Sequence, residues 1–144
     1  MNNNTLMKNS LSVFLIDNNE IDNFIHQRKL KDFSEDINVF TFQNATEALE
    51  SIQKNNKAPQ LILLNLYLTL TNGFEFLEAY EKLDCEKTNT FIYILSTTIR
   101  PSDLRLIKKN VNCFGYIEKP FSMNKLFEQM DSKKTEMFNL IPNH

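Results

Sequence analysis

The chain has 144 residues, of which 42% are hydrophobic, and this suits one globular domain with its own core. Its 16 basic and 18 acidic residues give a net charge of -2, which argues against charge-driven binding to nucleic acid or to an anionic membrane. No apolar run reaches membrane-spanning length, and the two cysteines lack the spacing of a metal site. We therefore expect a cytoplasmic protein with reduced thiols, a disordered leader over residues 1–9 and one domain over residues 10–140.

Short apolar runs alternate with segments of helical periodicity five times along the chain. Such alternation predicts a parallel sheet with helices on both faces, because parallel strands need crossover connections. We expect a flavodoxin-like, three-layer α/β/α fold with a five-stranded parallel sheet in the order 2-1-3-4-5. The predicted strands are Leu11–Ile16, Ile37–Phe42, Leu61–Asn65, Phe91–Leu95 and Cys113–Ile117.

The segments between these strands carry helix signals. Asn19 is the predicted N-cap of the first helix, and Asn44 or Thr46 that of the second. Pro101 suits the first turn of the fourth helix, where Ser102 is expected to help with capping. The apolar positions of the first helix are Ile21, Phe24, Ile25, Leu30 and Phe33. The predicted buried face of the fourth helix is Leu104, Ile107 and Val111.

Polar side chains follow four of the five predicted strands. Asp17 and Asn18 follow the first strand, Asn65 ends the third, Ser96 ends the fourth, and Lys119 follows the fifth. In an open parallel sheet, ligands bind at the carboxyl ends of the strands. An acid, amides, a hydroxyl and an amine are therefore expected to meet at one edge of the sheet, although each residue alone is also an ordinary way to end a strand.

Three segments together resemble the receiver domain of bacterial response regulators, from about Leu11 to Met130. The apolar strand ending at Asn65, followed by Gly73-Phe74-Glu75-Phe76-Leu77, is similar to that family's phosphoacceptor strand and the helix after it. The other two segments run from Leu15 to Ile25, similar to the acidic-pair strand and first helix, and from Gly115 to Phe121, similar to the strand before the family's lysine and proline.

The resemblance implies a role for each strand-end residue. In that family an aspartate takes a phosphoryl group from a histidine kinase, with Mg2+ bound alongside, and the protein contributes positioning and charge. By position, Asn65 is the phosphoacceptor equivalent and Tyr116 the switch aromatic, and the Lys119–Pro120 peptide is expected to be cis. The acidic-pair equivalents are Asp17 and Asn18, and the phosphate-binding equivalents are Ser96 and Lys119. The implied metal ligands are Asp17, Asn18, Asn65 and the backbone carbonyl of Tyr67.

Three departures from the family pattern affect this chemistry. Asn65 replaces the acceptor aspartate, and Asn18 replaces the second acid of the pair. Thr69 stands where the family's loop usually has proline. Magnesium in proteins is held by one or two carboxylates together with waters and substrate oxygens, and Asp17 is the one carboxylate left in the implied set. We therefore expect Mg2+ binding to be weak or absent and no other cofactor.

These observations predict a non-enzymatic receiver domain of two-component phosphorelay signalling, without an output domain. It would be a pseudo-receiver that lacks conventional aspartyl phosphorylation and acts by protein contact. The resemblance implies a histidine kinase or another signalling protein as partner, and a homodimer through the fourth helix, fifth strand and fifth helix. Two alternatives stay open: an ordinary phosphoacceptor regulator in which these positions were altered, and an enzyme or flavin-binding protein on the same fold.

Overall fold

The computed structural model describes residues 11–68, 72–87 and 89–139. The predicted leader over residues 1–9 and the loop residue Thr69 lie outside these ranges. The strands are β1 (Leu11–Ile16), β2 (Ile37–Phe42), β3 (Leu61–Asn65), β4 (Phe91–Ser96) and β5 (Cys113–Glu118). The helices are α1 (Glu20–Phe33), α2 (Ala45–Asn55), α3 (Gly73–Lys82), α4 (Pro101–Lys109) and α5 (Met123–Asn139).

All five strands pair in parallel in one sheet, in the order β2-β1-β3-β4-β5. This confirms the predicted flavodoxin-like topology. The central strand β3 is buried on both faces because Leu61 and Leu63 point to one helical layer while Ile62 and Leu64 point to the other. Helices α2, α3 and α4 cover one face, and α1 and α5 cover the other. No helix in the described ranges is both long and apolar enough to cross a membrane.

Asparagine side chains cap the first three helices. The Asn19 side chain accepts from the backbone N–H groups of Ile21 and Asp22, as predicted. Asn44 accepts from Glu47 N at 2.9 Å, so Asn44 and not Thr46 is the cap of α2. Asn72 and Glu75 form a reciprocal capping box at the start of α3. These caps fix where each helix leaves the sheet edge.

Of the five apolar positions predicted for α1, only Leu30 is buried. Ile21 and Phe24 are 70% and 58% exposed, and Ile25 and Phe33 are exposed as well. The other buried residues of the helix are Asn23 and His26, which are polar. The Asn23 amide donates to the carbonyls of Asp17 and Phe42 at 3.0 and 3.3 Å, and these bonds at the ends of β1 and β2 set the rotation of the helix.

Two expectations for α4 were also wrong. Val111 is 81% exposed because the helix ends at Lys109, which leaves Val111 in the turn before β5. Ser102 is exposed and does not cap the helix, because Arg100 is the N-cap residue and its backbone N–H donates to the carboxylate of Asp103. Asp103 is buried together with Ile107, so the inner face of α4 includes a charged side chain.

Candidate functional site

The carboxyl ends of β1, β3, β4 and β5 lie along one edge of the sheet, because the strands are parallel and in register. Residues after β1 and β5 meet directly, since the Lys119 ammonium contacts Asp17. The Lys119 backbone N–H also donates to the Ser96 carbonyl at 2.9 Å. The peptide between Lys119 and Pro120 is cis, as predicted. The fold thus brings the predicted strand-end residues to a common edge.

One lysine and two aspartates form an ion-pair network on the β1 side of this edge. The Lys119 Nζ atom lies 2.8 Å from Asp17 Oδ2 and 2.9 Å from Asp22 Oδ2. The side chains of Asp17 and Lys119 are only 4% and 11% exposed. Burial alone would lower the pKa of Lys119, but its hydrogen bonds to Asp17 and Asp22 outweigh burial, so the pKa lies above its usual value. Lys119 therefore carries its charge throughout the physiological range.

Asp22 and His26 are the members of this site that the sequence analysis did not identify. Both lie on α1, one turn apart, and face the sheet edge through the rotation that Asn23 imposes. The His26 ring is buried and lies 5.0 Å from the ring of Phe121. The available signal was an acid and a histidine at positions i and i+4 among apolar residues, which predicts one shared helix face.

Buried His26 should make the stability of the protein depend on pH. Burial lowers the pKa of His26 below 6.5, and the neighbouring Lys119 ammonium lowers it further, against smaller opposing effects of Asp22 and Asp17. The unfolded state therefore binds the proton at higher pH than the folded state, and stability falls as the pH drops below about 6.5. We expect His26→Phe to reduce the pH dependence of the free energy of unfolding by up to one proton. Urea denaturation between about pH 7 and pH 5.5 measures this.

The matched control for this prediction is the unaltered protein followed over the same series. Lys119, whose pKa is raised, keeps its charge over this range, so the lysine itself does not add to the slope. Parallel stability curves for the variant and the unaltered protein would contradict the assignment of the slope to His26.

The Asn65 side chain is bound to the loop that follows it. Its Nδ2 atom donates to the carbonyl oxygen of Tyr67 at 2.6 Å. The Tyr67 hydroxyl in turn donates to Asp103 Oδ2 at 3.1 Å, and the same oxygen accepts from Arg100 Nε at 3.2 Å. Burial would raise the pKa of Asp103, but the hydrogen bonds from Arg100 and Tyr67 outweigh it and lower the pKa. A continuous set of contacts thus links position 65 to the start of α4.

The remaining predicted residues lie at or near this edge in different states. Ser96 is buried, and its hydroxyl donates to the Thr98 carbonyl at 3.0 Å. Asn18 is exposed at the end of β1. Tyr116 is partly buried and packs against the core cluster to which Ile107 of α4 belongs.

The residues present do not fit a divalent metal ion. Within the described ranges, no three His, Cys, Asp or Glu side chains are grouped so that they could hold one. The Tyr67 carbonyl, an implied ligand, accepts the amide of Asn65. Asp17 accepts the Lys119 ammonium through one oxygen and the Asn19 N–H through the other. Magnesium prefers anionic oxygens, and this set offers one carboxylate, already bound to a cation.

The strand order 2-1-3-4-5, with Asp17, Ser96 and a lysine before a cis proline at the carboxyl edge of the sheet, matches the receiver class of signalling domains at these positions, while Asn65 departs from it. The family model for the response regulator receiver domain matches residues 13–131. The chain therefore belongs to the response-regulator receiver domain family. Domains of this family serve two-component signalling and interact with signalling proteins such as kinases.

Known proteins agree with this family assignment. The sensor histidine kinase CheAY of Helicobacter pylori is 28% identical over 122 residues. The match covers 83% of this chain but only 15% of that protein, so the chain spans a small part of its curated relative.

Solved structures agree with the fold. The chemotaxis protein CheY4 of Vibrio cholerae superposes with a TM-score of 0.71 at 23% identity, covering 85% of this chain and 98% of that one. A two component response regulator from Cytophaga hutchinsonii gives a TM-score of 0.77 at 18% identity, with 88% and 98% covered. A response regulator receiver protein from Dyadobacter fermentans gives 0.74 at 27% identity, with 85% and 97% covered.

Proposed function

We propose that this chain is a pseudo-receiver, which signals through protein contact and is not phosphorylated at the usual position. The observation that carries this proposal is the 2.6 Å hydrogen bond from the Asn65 amide to the Tyr67 carbonyl. Position 65 donates a hydrogen bond where an acceptor aspartate would offer a negatively charged oxygen. The Asn65 side chain therefore forms a hydrogen bond within its own loop and presents no nucleophile.

The chemistry of the amide supports this reading. The nitrogen lone pair of an amide is delocalised into its carbonyl, so neither atom attacks phosphorus as a carboxylate oxygen does. Asn18 leaves the acidic pair without its second acid, and Asp17 is bound to the Lys119 ammonium, which it shares with Asp22. Phosphoryl transfer depends on positive charges placed around the transferred group. One of these charges is a metal ion, and this site lacks the acids at positions 18 and 65 that would bind it.

The surface formed by α4, β5 and α5 is the proposed site of protein contact, either with a signalling partner or with a second copy of the chain. A groove of about 1060 Å³ lies along it, lined by Ile107, Val111, Tyr116 and Lys125 among others. Val111 is largely exposed there. We also propose that the protein is cytoplasmic. Its role would be to present this surface to a partner, without enzymatic activity of its own.

The proposal predicts that magnesium at about millimolar concentrations leaves the site unaffected, because Asn18 and Asn65 remove two anionic ligands and Asp17 is bound to Lys119. We expect no saturable amide shifts at Asn65, Leu66 and Tyr67 when the unaltered protein is titrated with Mg2+ and observed by NMR. The matched control is Asn18→Asp/Asn65→Asp, in which the same amides should move and saturate. Saturable shifts of these amides in the unaltered protein would contradict the proposal.

A further inference from the structure

The position of Lys119 depends on a second carboxylate, Asp22, from the first turn of α1. We propose that Asp22 is a positioning residue that holds the Lys119 ammonium on the β1–α1 side of the edge and withholds it from the side chain at position 65. This inference rests on the proposed function, because it concerns what else separates this site from one that accepts a phosphoryl group. Restoring the two missing acids would leave this restraint in place.

The geometry makes Asp22 as close a partner as Asp17. The Lys119 ammonium lies 2.9 Å from Asp22 and 2.8 Å from Asp17. Asp22 is itself fixed, since its backbone N–H donates to the Asn19 side chain at 3.1 Å. The neighbouring Asn23 amide ties the same turn to the Asp17 carbonyl. Asp22 is therefore held in reach of Lys119 by the backbone of α1.

The donor capacity of the ammonium limits what else it can bind. A lysine ammonium has three N–H donors, and Asp17 and Asp22 each accept one of them. Both bonds are charge-assisted, which makes them stronger than bonds between neutral groups. The Asp17 side chain is 4% exposed and that of Asp22 is 32% exposed. Loss of the ammonium would therefore be costlier for Asp17, which is more deeply buried, than for Asp22. Asp22 is the partner that can be removed without leaving a deeply buried charge unpaired.

The consequence appears when the acceptor is restored. In Asn18→Asp/Asn65→Asp, a carboxylate oxygen introduced at position 65 would attack the phosphorus of acetyl phosphate. A new bond forms between that oxygen and phosphorus while the bond from phosphorus to the acetate oxygen breaks, and acetate leaves. A lysine free to reach the phosphoryl oxygens would neutralise their charge during this step. With Asp22 present, the ammonium stays on the β1–α1 side of the edge. Phosphorylation is then slower than in a protein that carries Asp22→Asn.

The test compares phosphorylation rates with acetyl phosphate and Mg2+. Adding Asp22→Asn to Asn18→Asp/Asn65→Asp should raise the rate by about tenfold, the effect of one charge-assisted hydrogen bond no longer competing for the ammonium. Asp32→Asn is the matched control, because Asp32 is an exposed acid on the same helix. It removes the same charge without a contact to Lys119 and should leave the rate within about twofold, as expected of a screened surface charge.

A second measurement separates this proposal from the proposed function. The pKa of Lys119, read from its side-chain NMR signals, should fall in Asp22→Asn and stay unchanged in Asp32→Asn. Equal and measurable phosphorylation rates with and without Asp22→Asn overturn the proposal, since the ion pair is then only structural. An unchanged pKa of Lys119 overturns it as well. If neither acceptor-restored protein is labelled while the pKa of Lys119 falls, the positioning by Asp22 stands and the account of what the acceptor site lacks fails.

Discussion

Asn18→Asp combined with Asn65→Asp should convert a protein that acetyl phosphate does not label into one that takes up a single phosphoryl group. The first change supplies a magnesium ligand, and the second supplies both a ligand and the nucleophile. Ser96 and Lys119 already lie at the same edge of the sheet. Intact mass after incubation with acetyl phosphate and Mg2+ measures the product, which should be sensitive to acid and base.

The single variants separate the two contributions. Asn65→Asp alone supplies the nucleophile but leaves the ion short of a ligand, so it should be labelled slowly. Asn18→Asp alone has no acceptor and should not be labelled. A folded double variant that stays unlabelled would show that the site has diverged beyond its two amides. Thr69, which lies outside the described residues, and the Tyr67 contact with Asp103 are then the next positions to change.

Lys119→Met should destabilise the folded protein by about 3–5 kcal/mol, the usual cost of removing one partner of a buried ion pair. The change leaves Asp17 buried with an uncompensated charge, and Asp22 close to it. Urea denaturation of the two proteins measures the difference in the free energy of unfolding.

The control adds Asp17→Asn to Lys119→Met, because an amide needs no counter-ion. The double variant should recover a large part of the lost stability, which a double-mutant cycle expresses as a coupling energy. Lys119 would be a surface charge without a structural role if Lys119→Met cost less than about 1 kcal/mol, the range of exposed ion pairs.

The positions of the strands were predictable because each strand has a local signal in the sequence. The run Leu61–Asn65 is short, apolar and bounded by turn residues, so it had few alternatives to a buried strand. Five alternations and right-handed crossovers left few possible strand orders, and the flavodoxin-like order, which was the leading one, is the order observed. Helix caps at Asn19 and Asn44 were also local, since a cap depends only on the next few residues.

The rotation of α1 was not predictable from its apolar residues. That rotation depends on hydrogen bonds from Asn23 to the ends of two strands, which are contacts between distant parts of the chain. The same rotation places Asp22 beside Lys119, 97 residues away in sequence. Burial of polar residues on a helix follows from such partners and leaves no trace in hydrophobic periodicity.

The candidate site was predictable in residue types but not in hydrogen-bond directions. Resemblance to the receiver family placed Asp17, Asn65 and Lys119 at one edge of the sheet. It did not indicate that the Asn65 amide would donate to the carbonyl of Tyr67, or that Tyr67 would reach Asp103. An amide can turn either its donor or its acceptor toward a loop, and the surrounding backbone decides which.

The central claim is that the site of the unaltered chain accepts no phosphoryl group. Its most direct test is the intact mass of the unaltered protein after incubation with acetyl phosphate and Mg2+, beside the Asn18→Asp/Asn65→Asp variant under the same conditions. The pseudo-receiver account predicts an unchanged mass for the unaltered protein while the variant gains one phosphoryl group. Labelling of the unaltered protein as fast as the variant would contradict the account and would mean that a residue other than Asn65 is the acceptor.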